Sequence, residues 1–82
     1  MTVTIKLFGP LSRAAGRSEL ALTIEHERPT CGEIRTRLFT EEPLLAALLP
    51  ACRFAINHVF AADDCPIAEG DEVALIGLTS GG

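Results

Sequence analysis

Val3, Ile5 and Leu7 alternate with Thr4 and Lys6 near the start of the chain. A period of two, with β-branched residues among the apolar ones, predicts a strand with one buried face. Gly9-Pro10 ends it. Leu20, Leu22 and Ile24 alternate with Glu19, Ala21 and Thr23 and predict a second strand. Between them, Gly9 to Ser18 carries Gly9, Pro10 and Gly16 and reads as a loop with room for a helical turn. The period then changes. Thr30 and Glu33 have the spacing of a capping box, in which the threonine hydroxyl accepts from the Glu33 amide and Glu33 reaches back. Cys31, Ile34 and Leu38 share one helical face, with Arg35 and Arg37 on others. Pro43 suits the first turn of a second, shorter helix. Leu44, Leu45, Leu48 and Leu49 supply its apolar stripe, and Pro50 is expected to stop it.

Phe54 to Asn57 reads as a third strand, Asn57-His58 as a turn and Val59-Phe60 as a short return strand. Glu69-Gly70-Asp71 is a turn signal, and Val73 and Leu75 alternate with Glu72, Ala74 and Ile76 in a last strand. The order strand, strand, helix, strand, short strand, strand predicts a small α+β domain, a mixed sheet with helices packed on one face. If the first and last strands are central neighbours, they run parallel. The 82 residues, without repeat or linker, predict one domain spanning 1–82, its last residues, 77–82, forming a flexible tail.

Composition narrows the classes. Hydrophobic residues make up 48% of the chain and are spread along it, so disorder is not expected; without Trp or Tyr, the core must be aliphatic with four Phe. The first residues lack the basic region and long apolar core of a signal peptide, and Leu44 to Leu49 is too short to cross a bilayer. The expectation is a cytoplasmic protein with no membrane partner. The net charge of −4 disfavours nucleic acid as a partner. That charge is uneven. From Ala61 onward there are five acids (Asp63, Asp64, Glu69, Asp71, Glu72) and no Lys or Arg, a charge of −5 against +1 for the rest. A solvated acidic end is the ordinary reading; steering toward a basic partner is the sharper one.

Candidate chemistry among the side chains is thin. Three cysteines, Cys31, Cys52 and Cys65, are odd in number, widely spaced and without a C-x-x-C pair. This argues against a disulfide framework, a zinc ribbon or an iron–sulfur ligand set. Cys31, just inside a helix N-terminus, stands where a thiol pKa can fall. His26 and His58 read as turn or surface residues. Glu41-Glu42 and Asp63-Asp64 are sequence neighbours whose side chains need not converge, as acid–base catalysis would require. Metal and intrinsic cofactor sites are not expected.

The last residues are Gly77-Leu78-Thr79-Ser80-Gly81-Gly82, a stretch that reaches at most about 20 Å when extended. Chain ends ordinarily fray. Gly81 and Gly82, however, lack a Cβ and can enter a channel too narrow for side chains. A carboxylate at Gly82 is ionised at neutral pH and is a poor electrophile. Adenylation by ATP gives it a leaving group. A sulfur donor then yields a thiocarboxylate, and a lysine or cysteine of another protein yields a conjugate.

Phe8-Gly9-x-Leu11 with Ala15-Gly16, Ala55-x-Asn57, Glu69-Gly70-Asp71-Glu72-Val73-Ala74 and the terminal Ser80-Gly81-Gly82 together resemble the small subunit of molybdopterin synthase. The resemblance covers nearly the whole chain and is strongest from Phe54 to Gly82. It implies a ubiquitin-like β-grasp fold and a non-catalytic, sulfur-donating subunit for molybdenum cofactor biosynthesis. The implied functional residues are Gly82, as adenylate and thiocarboxylate carrier, and Gly81, for passage of the tail. The implied partners are an E1-like adenylating enzyme, which uses ATP on Gly82, and the large subunit, where the thiocarboxylate donates sulfur to cyclic pyranopterin monophosphate. Gly77-Leu78-Thr79 replaces the family's usual Pro-Pro-Val, and without proline the tail is less stiff. The same tail would serve a sulfur carrier for thiazole synthesis or tRNA thiolation, or a ubiquitin-like modifier joined through Gly82 to lysines. A plain binding domain is the remaining alternative.

Overall fold

A computed structural model of the chain describes residues 1–25 and 27–77. Its elements run β1 (Thr2–Phe8), α1 (Pro10–Ala15), β2 (Glu19–Thr23), α2 (Cys31–Glu41), α3 (Pro43–Ala46), a 3₁₀ turn (Leu49–Ala51), β3 (Cys52–Ile56), β4 (Val59–Ala61) and β5 (Val73–Gly77). The five strands form one mixed sheet in the order β2-β1-β5-β3-β4. β1 and β5 are central neighbours and parallel, with Ile5 beside Val73 and Leu7 beside Leu75; the other pairings are antiparallel. The strand order predicted the mixed sheet, and the parallel central pair makes it the ubiquitin-like β-grasp arrangement that the resemblance implies.

Alternation decides which face is covered. Val3, Ile5 and Leu7 of β1, Leu20 and Leu22 of β2, Phe54 of β3 and Val73 and Leu75 of β5 are buried. They form one core with Leu11, Ile34, Leu38, Leu45 and Leu49 from the helical segments. The intervening residues Thr4, Lys6 and Phe8 are exposed on the opposite face, because successive side chains of a strand point to opposite sides. No buried side-chain nitrogen or oxygen among the described residues lacks a partner.

α2 starts where the capping box places it. Thr30 is extended, and its hydroxyl accepts from the Glu33 amide at 3.2 Å. Cys31, Ile34 and Leu38 are its buried face. α3 is shorter than expected: it ends at Ala46, and Pro50 lies in the 3₁₀ turn rather than at the helix end. Of its expected stripe, Leu45 and Leu49 are buried, Leu48 is half-buried and Leu44 is 70% exposed. Four residues make only about one turn, too few to hold a full amphipathic face. The Gly9 to Ser18 loop contains a six-residue helix, α1. Gly9 precedes it at φ 64° and Gly16 closes it in the left-handed region, a combination of Pro at N1 and Gly at the C-terminus that fixes a short helix at both ends.

Gly77 belongs to the sheet rather than to a flexible tail. It is the last residue of β5 and pairs with Cys52. A Cβ there would stand 3.0 Å from Cγ and 3.2 Å from Cδ of Pro10, so the start of α1 packs directly on this backbone. Among the described residues no helix is long and apolar enough to cross a membrane.

Candidate functional site

The expected carrier residues, Gly81 and Gly82, lie outside the described residues, as does His26. The structure does describe the strand that leads to them and the surface beside it. On the sheet face opposite the helices, Phe8, Ala55, Phe60, Ala74 and Ile76 floor an open groove of about 610 Å³. Lys6, His58 and Glu72 form its polar edge. Phe8 is 49% and Phe60 52% exposed, large values for phenylalanine side chains in a small domain. The groove follows from period-two patterning in which both faces of β5 are apolar. Leu75 turns into the core, while Ala74 and Ile76 turn outward between β1 and β3. Ile76 immediately precedes Gly77, so the groove lies beside the exit of the chain from the sheet.

Charges frame this floor without entering it. Lys6 Nζ is 3.8 Å from Glu72, whose other oxygen is 3.3 Å from His58 Nε2. The Arg53 guanidinium lies over the Phe60 ring, 4.4 Å from its centre. These are exposed pairs and contribute little stability. A second depression, about 350 Å³, lies in the helix layer around Phe39 and Pro50, and no residue of β5 lines it.

One polar cluster fixes the entry to β5. Asn57 and His58 both have positive φ, 51° and 70°, which makes a two-residue hairpin turn matched to strand twist. The Asn57 side chain accepts from the Glu72 amide at 2.9 Å and donates to Asp71 at 3.1 Å. Its own amide donates to the Glu72 carbonyl at 2.8 Å. Asp71 also accepts from the Ala68 amide at 2.8 Å. That amide first, and Asn57 second, hold the Asp71 carboxyl below its ordinary value of 3.8.

Most of the other acids and thiols singled out in the sequence make their contacts away from the groove. The acidic end is partly neutralised: Asp63 pairs with Arg35 at 3.0 Å, and Glu72 with Lys6. Glu41 pairs with Arg37, and Glu42 with Arg17 at 3.4 Å, so this acid pair diverges. Cys31 does not have the lowered pKa that its helix position suggested. Burial first, then the charge of Cys65 nearby, pushes its thiol up to about 11. Burial likewise raises Cys52. Sequence reasoning missed Arg35, which it placed simply off the apolar face. Its guanidinium donates to the carbonyls of Leu49 and Cys52 and to Asp63, and lies 5.3 Å from the centre of the Phe54 ring. Only the periodicity of α2 bore on that position, and periodicity says nothing of carbonyls arriving from another segment. Among the described residues no cluster of His, Cys, Asp and Glu could hold a metal.

The ThiS family model matches residues 5–82. The chain belongs to the ThiS family. It is thus a ubiquitin-like protein of the sulfur-carrier and modifier class. No curated protein sequence matches this ThiS-family chain significantly. Solved structures do. SAMP1 from Haloferax volcanii is 26% identical, with all of both chains covered and a TM-score of 0.81. A putative molybdopterin converting factor subunit 1 from Pyrococcus furiosus is 14% identical, with 96% of this chain and 99% of that one covered and a TM-score of 0.80. A complex of subunits 1 and 2 of molybdopterin-converting factor from Helicobacter pylori contains a chain 24% identical, covered end to end, with a TM-score of 0.70.

Proposed function

We propose that this chain is the sulfur carrier of molybdopterin synthesis, acting as the small subunit of molybdopterin synthase. The observation that carries the reading is the apolar groove on the open sheet face, beside the strand from which the last residues depart. A carrier must dock its body on a partner while its end reaches a reaction centre, and an exposed apolar patch of this kind suits docking better than stability. The relative from Helicobacter pylori, solved with its second subunit, supports such an assembly here. So do the Glu69-to-Ala74 and Ser80-to-Gly82 motifs.

In this reading the Gly82 carboxylate attacks the α-phosphorus of ATP on an adenylating enzyme and pyrophosphate leaves. A sulfur donor displaces AMP, and the thiocarboxylate forms. In the large subunit its sulfur passes to the cyclic pyranopterin precursor, and water restores the carboxylate. Gly81 lets the end enter a narrow channel, and the body of the domain supplies docking and no catalytic group. A second reading, conjugation to lysines as a modifier, is favoured by the 26% identity to SAMP1.

The two readings part at the acceptor. The test mixes the thiocarboxylated chain with a molybdopterin synthase large subunit from the same source and the pterin precursor. Dithiolene product, with Gly82 returned to a plain carboxylate, is the expected result. No product, where the same preparation supports thiazole formation or accumulates on lysines, moves the assignment to that alternative.

A further inference from the structure

The N-terminus of α2 is capped by a distant loop. The Cys31 amide donates to the Cys65 carbonyl at 3.0 Å and the Gly32 amide to the Asp63 carbonyl at 2.7 Å. On the other flank the Ile67 amide donates to the Pro29 carbonyl at 2.7 Å. The outcome is an antiparallel bridge between Thr30 and Pro66. The bond from the Cys31 amide to the Cys65 carbonyl brings these two residues together where α2 begins. One such N–H···O=C bond leaves the two Cα atoms about 5–6 Å apart, within the range of about 4.4–6.8 Å that a disulfide spans. Both side chains face the same core, where Cys31 is buried completely and Cys65 partly. Helical Cα–Cβ bonds tilt toward the N-terminus, so the Cys31 side chain leans back over the capping loop. Cys65 also contributes, after burial, to raising the Cys31 thiol, in keeping with this proximity.

We propose that Cys31 and Cys65 form a reversible oxidation site, closed to a disulfide by a hydroperoxide. Cys65, the more exposed of the two, reacts first. Its thiolate attacks a peroxide oxygen, the O–O bond breaks, and the leaving hydroxide takes a proton; the sulfur, oxidised by two electrons, is now a sulfenic acid. Cys31 gives up its proton and attacks that sulfur. The S–S bond forms, the S–O bond breaks and water leaves. Two thiols and one hydrogen peroxide thus give one disulfide and two waters. Burial makes Cys31 a poor first nucleophile but not a poor second one, because the held geometry replaces encounter. Cys52 takes no part: its thiol is buried and donates to the Leu48 carbonyl at 3.0 Å.

The experiment treats the reduced full chain with hydrogen peroxide, counts free thiols in denaturant, and maps peptides without reduction. Thiols should fall from the three free cysteines to one, with the Cys31 peptide joined to that of Cys65. Dithiothreitol should restore them. The closed loop should raise the midpoint of thermal unfolding by about 10 °C or more. Cys52→Ala should leave the whole response intact, and Cys65→Ser should abolish it without preventing folding. A linkage through Cys52, a disulfide between two chains, Cys65 overoxidised beside a free Cys31, or three thiols still titrating would each overturn the proposal.

Discussion

Asn57 shows how much one side chain can decide. It turns the β3–β4 hairpin with φ 51° and also ties the start of β5 through the Glu72 amide. Asn57→Ala removes that bond and a residue tolerant of the left-handed region, so it should cost about 1–2 kcal/mol in a denaturant titration. Asp71 belongs to the same cluster and makes it sensitive to acid. Its carboxyl is depressed in the fold, first by the Ala68 amide. A depressed carboxyl stabilises the fold above its unfolded pKa, and that contribution is lost as the pH falls through the folded value. Asp71→Asn should therefore flatten the stability profile below about pH 4 and leave its shape near neutrality unchanged. Gly77 acts by absence. Gly77→Ala brings a Cβ to 3.0 Å from Pro10, so overpacking should cost about 1–3 kcal/mol, read as a lower denaturant midpoint.

Among the elements, α2 was the most legible, because its signals agree. Thr30 caps it, Glu33 has the capping-box spacing, and Cys31, Ile34 and Leu38 keep the helical period. The cap shares its task with the carbonyls of Cys65 and Asp63, which satisfy the next two amides. Thr30→Ala should consequently cost only about 1 kcal/mol, measurable as a small shift in thermal midpoint with the helix retained. The strands were legible for the same reason. α1 and α3 were not foreseen in length. Six and four residues carry too little periodicity to outweigh proline and glycine, and tertiary packing decides where such helices end. Gly77 was misread because a glycine before Leu-Thr-Ser-Gly-Gly looks like the start of a tail. Its real constraint, the ring of Pro10, is remote in sequence. The partners of Arg35 were hidden for the same reason.

For the whole molecule, the two faces of the sheet have separate tasks. One is filled by the helices; the other keeps an apolar groove open beside the last strand. Leu75 and Ile76 are sequence neighbours on opposite faces, so they separate stability from docking. Leu75→Glu places an unpaired charge in the core and should unfold the domain, seen as loss of a cooperative melt. Ile76→Glu should keep a cooperative melt and, on the proposed function, weaken association with a molybdopterin synthase large subunit by about tenfold or more, which is about 1.4 kcal/mol, in a titration calorimeter. The proposed function requires that the end of the chain carry sulfur. The most direct measurement is the intact mass of the protein after incubation with the adenylating enzyme, ATP and a sulfur donor. The account predicts a gain equal to one oxygen exchanged for sulfur, located at Gly82 and abolished when Gly82 is deleted from an otherwise folded chain. An unchanged mass under conditions where a known carrier is thiocarboxylated, or sulfur found on a cysteine instead of at Gly82, would contradict it.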